Sequence, residues 1–157
     1  MNDHDYESLL WMNESDIDFS ALPEGILEKL ALETEYYIAT SALIELASRS
    51  VPRAGVVAKN ILDTGHGDNH LQAVALSTLF DADPDAAMPF LLEFAETMDP
   101  VRVREALNIA SANAEKFSSG SRILIDVLKR RLEEFSREQL GDDVVDTFRE
   151  AYPPKGV

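Results

Sequence analysis

The chain has 157 residues, 45% of them hydrophobic, no cysteine, and 29 acids against 14 Lys and Arg, a formal net charge of −15. Such a length and apolar content suit one domain with a real core and argue against disorder. The lack of cysteine excludes disulfides, thiolate metal sites and a cysteine nucleophile, and so negative a field repels nucleic-acid phosphates and anionic lipids.

The charge is uneven. Residues 1–35 hold ten acids against Lys29 alone, a net of −9, while residues 36–98 sum to −5 and residues 99–157 to −1. So acidic an N-terminal segment speeds association with a basic partner; solubility is the plainer explanation. Met1-Asn-Asp-His-Asp-Tyr-Glu7 lacks the basic region and apolar run of a signal peptide. No apolar stretch approaches the roughly 20 residues that span a bilayer. A soluble cytoplasmic protein is expected.

In chain order, the pattern predicts a short helix from Asp3 to about Met12, then a loop to Ser20. Ser20 is the expected N-cap of a second helix, with Pro23 in its first turn and Leu22, Ile26, Leu27 and Leu30 on one face. A third helix from near Glu35 places Tyr36, Ala39, Leu43 and Leu46 at helical spacing. Val51 precedes Pro52 and is expected to break it. The next helix carries Val56, Val57, Ile61 and Leu62, and Asp63-Thr-Gly-His-Gly-Asp68 ends it. Asn69-His-Leu-Gln72 has capping-box spacing and opens a helix with Val74, Leu76, Leu79 and Phe80. Asp83 is the expected N-cap of the following helix, with Pro84 at its first position and Met88, Leu91, Leu92, Phe94 and Ala95 along it. Pro89 argues for a later start. Asp99-Pro100 repeats the start signal before Val101, Val103, Leu107 and Ile109. Past Phe117-Ser-Ser-Gly-Ser121, a stripe of Ile123, Leu124, Val127, Leu128, Leu132 and Phe135 follows. A last helix from about Glu138 carries Leu140, Val144, Val145 and Phe148, and Tyr152 to Val157 form a tail. No segment alternates as a strand does, so the count is eight or nine helices and no sheet.

Three of these helices share a pattern: Ala39 to Leu46, Ala73 to Leu79, and Val103 to Ala110. Leu43 and Leu76 are 33 residues apart, and Leu76 and Leu107 are 31 apart. A period in that range, with two helices per unit, marks an α-solenoid. Leu71-Gln-Ala-Val-Ala-Leu-Ser-Thr-Leu79, Asp81-Ala-Asp-Pro-Asp-Ala-Ala-Met-Pro-Phe-Leu-Leu92 and Asp99-Pro-Val-Arg-Val-Arg-Glu-Ala-Leu107 resemble the HEAT family, in the short variant near thirty residues found in bacterial proteins. The resemblance covers residues 35–135 and implies an all-α short solenoid of about three helix pairs. Residues 1–34 act as N-terminal capping helices and residues 136–157 as a C-terminal helix and tail, in a single domain 1–157. In size, acidity and fold class the chain also resembles bacterial toxin immunity proteins of contact-dependent growth inhibition systems. Those bind and block a secreted toxin domain, often a basic nuclease.

Few residues suggest chemistry. Asp63, His66, Asp68 and His70 are ligand types for zinc, but their spacing matches no metal motif and a polar loop explains them. Asp81, Asp83 and Asp85 mimic half of a calcium loop, yet Ala86 and Leu92 stand where glycine and glutamate belong. Glu133-Glu134 and Asp142, Asp143 and Asp146 are adjacent acids that pair with Lys129, Arg130, Arg131 and Arg137 rather than converging on one atom. Lys129-Arg-Arg131 reads as a solvated helix face, not a nucleic-acid site. The remaining histidine, His4, falls in a fraying terminus. No catalytic residue, cofactor or metal is expected, and no enzyme.

Tyr6, Trp11, Tyr36 and Tyr37 lie in or beside the acidic N-terminal segment. Most are expected in the core, with Tyr37 the most exposed. In a stacked array the inter-repeat turns fall on one edge at roughly 10 Å spacing. Those turns hold Glu33 and Glu35, then Asp63 and Asp68, then Glu96 and Asp99. With Glu93 and Tyr37 beside them they form an expected acidic ridge for a basic protein partner. The opposite edge is mixed, with Arg53 against Asp81, Asp83 and Asp85, then Lys116. The reading is a non-enzymatic binding module, monomeric when free, that blocks a toxin domain. An adaptor or assembly factor for an enzyme complex is the alternative.

Overall fold

A computed structural model of the chain describes residues 3–97, 99–118 and 121–154. All regular structure among them is helical, as the sequence predicts. Eleven α-helices run α1 (Asp3–Leu9), α2 (Glu24–Glu33), α3 (Tyr36–Arg49), α4 (Val51–Thr64), α5 (Asn69–Ala82), α6 (Pro84–Glu96), α7 (Pro100–Ala112), α8 (Ala114–Ser118), α9 (Arg122–Leu132), α10 (Arg137–Leu140) and α11 (Asp142–Ala151). Short 3-10 turns at Glu14–Asp16 and Phe19–Ala21 join α1 to α2. Two helices exceed the expected count, because α8 precedes α9 and Gly141, at φ +91°, divides α10 from α11. No helix among the described residues is long and apolar enough to cross a membrane. The chain forms two compact units, Met1–Ala87 and Met88–Val157.

In the first unit α3 packs on α2, on α4 and on α5, and α4 packs on α5. Contact between α3 and α5, two helices apart, is the stacking step of a helix-pair array. The interior is leucine: Leu27, Leu30, Leu43, Leu46, Leu71 and Leu76 are all fully buried. Helix α4 carries Gly55 where it meets α5. A Cβ there would lie 2.4 Å from the Ala82 Cβ, so the glycine permits the close approach.

Local signals set the ends. Pro23 fixes Leu22 in extended backbone, so α2 starts at Glu24, not after Ser20. The Ser20 hydroxyl donates instead to Asp18, at 2.5 Å. The break after α3 falls at Ser50, whose side chain accepts from the Arg53 amide, and Val51 is already helical. Gly65 takes the left-handed conformation (φ 65°) after α4; its amide and that of His66 donate to the Leu62 and Ile61 carbonyls, closing the helix. Asp68, not Asn69, caps α5 through the Leu71 amide. Gln72 does not reach back to close a capping box; it is buried and donates to the carbonyls of Ile61 and His66. Asp83 caps α6 and Asp99 caps α7, each followed by a helical proline as expected. Pro89 does not delay α6: it sits inside the helix, exposed, and removes only the donor facing the Asp85 carbonyl.

In the second unit α7 is central and packs on α8, α9, α10 and α11. Leu107, Leu124, Leu128 and Phe148 are buried there. Tyr152 donates its hydroxyl to the Ala110 carbonyl at 2.7 Å and stacks near Phe148, with ring centroids 5.0 Å apart. Ser136 and Gln139 form a capping box for α10. The stripe on α9 differs from expectation at one end: Ile123 is exposed, and Ile125 is buried in its place. Arg131 is a second departure. It is 5% exposed, not solvated; its guanidinium donates to the Thr97 carbonyl and to Glu134 and lies over the Phe135 ring. Part of the expected Phe117–Ser121 loop and of the tail lies outside the described residues.

Candidate functional site

In the first unit two of the loops expected to carry acidic residues are fastened together. Helix α2 ends at Glu33, and the Thr34 hydroxyl donates to the Leu30 carbonyl at 2.5 Å, which fixes the turn. The Thr34 carbonyl then meets the loop after α4: His66 Nε2 lies 2.7 Å from it. A carbonyl only accepts, so Nε2 carries the hydrogen. Gln72 holds the same loop from beneath. Glu33-Thr34-Glu35 is thereby set beside Asp63-Thr-Gly-His-Gly-Asp68.

The expected site residues have unequal freedom. Glu33 accepts from the Tyr6 hydroxyl at 2.8 Å. Asp63 is paired with Lys59 at 2.7 Å, on an outer stripe of α4 with Val56 and Asn60, which offsets the cost of an acid at a helix C-terminus. Asp68 and Asp99 are helix caps. Glu35 and Tyr37 are exposed in the first unit, and Glu93 and Glu96 are exposed on α6 in the second. These last four side chains make no hydrogen bond or ion pair among the described residues.

In the first unit the few cations are taken up by internal contacts. Residues 1–87 hold sixteen acids and four bases, a net of −12. All four bases are engaged. Lys29 lies 4.5 Å from the Tyr6 ring centroid. Arg49 pairs with Glu45 and donates to the carbonyls of Phe19, Ser20 and Leu22. Arg53 bridges Glu24, at 2.5 Å, and Glu28. That hydrogen bond holds the Glu28 carboxyl below its usual range, and the two acids raise the Arg53 guanidinium. Tyr6 is pushed up to about 12, first by burial and then by its bond to Glu33.

The other candidates resolve into structure. Among the described residues no group of three or more His, Asp and Glu is placed to hold a metal ion, and His66 and His70 do not converge with Asp63 and Asp68. Asp83 caps a helix. Arg137 joins Asp142 and Asp146 at 2.6 and 2.5 Å, and Arg149 lies 3.7 Å from Glu133.

The aromatic expectation needs correction. Tyr6 is buried, but Trp11 is 90% exposed, more than Tyr37 at 72%. The Tyr36 side chain lies outside the described residues. Val56, expected on an apolar face, is also exposed. Ile44 is exposed as well, and the helical spacing carries the signal: if Ala39, Leu43 and Leu46 point inward, Tyr37, Ser41 and Ile44 must point outward. Compared with known proteins, the chain matches no family model, no curated protein and no solved structure.

Proposed function

We propose that this chain is a non-enzymatic protein-binding module of the short HEAT-like kind, an immunity protein that occludes a basic toxin domain in the cytoplasm. The observation that carries the reading is the use of every cation in the first unit for internal contacts, while Glu35 and Tyr37 face solvent. A surface with so much uncompensated negative charge recruits a cationic protein quickly and rejects nucleic acid. The partner-facing residues are Glu33, Glu35, Tyr37, Asp63 and Asp68 of the first unit, and Glu93, Glu96 and Asp99 of the second.

The test uses the toxin domain that this role requires a neighbouring reading frame to encode. Reversing Glu35, Asp63 and Glu96 to lysine slows association and flattens its salt dependence, with the helical circular dichroism unchanged. Equal on-rates and affinities at two salt concentrations remove these carboxylates from the interface. A neighbouring frame that encodes no toxin removes the immunity role.

A further inference from the structure

Trp11 is 90% exposed, the highest value among the large apolar side chains described. It follows α1 in a turn with Leu10 at 43% and Met12 at 38% exposure. Scattered single apolar residues are ordinary on a surface, but three in succession ending a helix are not. A second exposed apolar group lies on α3, where Tyr37 and Ile44 occupy one outward face with Ser41 between them.

One hydrogen bond brings the two groups together. Ser41 Oγ donates to Glu14 Oε1 at 2.7 Å, which ties the segment after α1 to that face. Three residues of chain span at most about 10 Å, so Trp11 cannot stray far from Glu14. Glu7 and Asp16, within five residues of Trp11, and Glu35, two residues before Tyr37, are exposed, and the four cations of the unit are occupied elsewhere. Tyr, Trp and Met are the side chains enriched at protein interfaces, and an aromatic ringed by charge is the arrangement of a binding anchor.

The charge selects the occupant. A second copy would set one unit of net −12 against another, and an anionic membrane is repelled for the same reason. We infer that the Leu10-Trp11-Met12 turn and the Tyr37/Ile44 face of α3 form a docking surface for a cationic amphipathic segment of a partner protein. Its apolar side chains cover Trp11, Tyr37 and Ile44, and its lysines and arginines meet Glu7, Asp16 and Glu35. The inference rests on the protein-binding role proposed above, and it supplies the apolar anchor that the acidic edge lacks.

Trp11 is the chain's single tryptophan, so its fluorescence reports on this surface alone. The probes are three synthetic peptides of about 18 residues: Leu at helical spacing with Lys elsewhere, the same pattern with Glu, and oligolysine. The Lys/Leu peptide shifts Trp11 emission to shorter wavelength and cuts acrylamide quenching at least threefold. Ile44→Asp, at an exposed position, weakens that binding about tenfold or more with circular dichroism unchanged. The Glu/Leu peptide and oligolysine leave the emission in place. No shift with Lys/Leu, an equal shift with Glu/Leu or oligolysine, or indifference to Ile44→Asp overturns the inference. A shift in the protein alone with rising concentration, with a dimer in sedimentation, also overturns it and makes a second copy the occupant. If the peptide fails while the toxin domain still binds in a charge-dependent way, the protein-binding role stands without this surface. If the peptide docks and the toxin domain does not bind, the surface stands and the immunity role falls.

Discussion

His66 Nε2 sits 2.7 Å from the carbonyl oxygen of Thr34, and this contact fastens the loop after α4 to the turn after α2. Both ends are held by further hydrogen bonds. Thr34 is buried and held to Leu30, and the His66 backbone is held by Ile61 and Gln72. Replacing His66 with alanine should cost about 0.5–1.5 kcal/mol, the net worth of one hydrogen bond. Gln72→Ala should cost more, about 1–3 kcal/mol, because it strips the Ile61 and His66 carbonyls of a buried donor. Urea unfolding of both variants checks the order. Equal, negligible losses would show that the loop is not held this way.

The sequence repeat predicts which leucines matter. Leu43, Leu76 and Leu107 are each 0% exposed. Truncation of any one to alanine should cost about 2–5 kcal/mol by chemical denaturation.

Gly55→Ala should run against the usual helix preference. In an open helix alanine is favoured over glycine by about 0.5–1 kcal/mol. Here the added Cβ meets the Ala82 Cβ at 2.4 Å, so α4 and α5 must part. A loss of about 1–3 kcal/mol is expected. Ala82→Gly in the same background should recover part of it, and thermal unfolding of the pair reads the coupling.

Tyr6 makes stability depend on alkaline pH. Its folded pKa is raised from 10.0 to about 12, by burial first and then by Glu33. The neutral phenol is favoured by the fold, so this contribution is complete below pH 10 and is lost as pH rises from there through about 12. Wild type should therefore lose stability across that window relative to Tyr6→Phe, which also removes one late tyrosinate step in the ultraviolet titration.

Much of the fold was legible because its signals are local. Asp83-Pro84 and Asp99-Pro100 start helices in any context, and the spacing of Leu43 and Leu46 needs no partner to declare a buried face. The misreadings share the opposite property. Ser20, Gln72 and Arg131 each bond to a group chosen by the folded backbone: Asp18, the Ile61 and His66 carbonyls, and the Thr97 carbonyl. No spacing rule names those partners. Trp11 was misplaced for a related reason, since a large aromatic beside an apolar helix reads as core until the turn that carries it outward is seen. Of the acidic edge, the sequence located the loops but not which carboxylates are already bound. Tyr6 and Lys59 decide that for Glu33 and Asp63.

Ser50 and Asp83 each form an entire helix-to-helix joint. Ser50 is at once the last cap of α3 and the first cap of α4, and Asp83 does the same between α5 and α6. Such a joint is a property of one capping residue and a proline in the first turn after it. A helix pair copied or deleted in the gene carries its own hinge with it, so an array of this kind can change length by whole units, while an insertion within a joint separates a cap from the helix it serves.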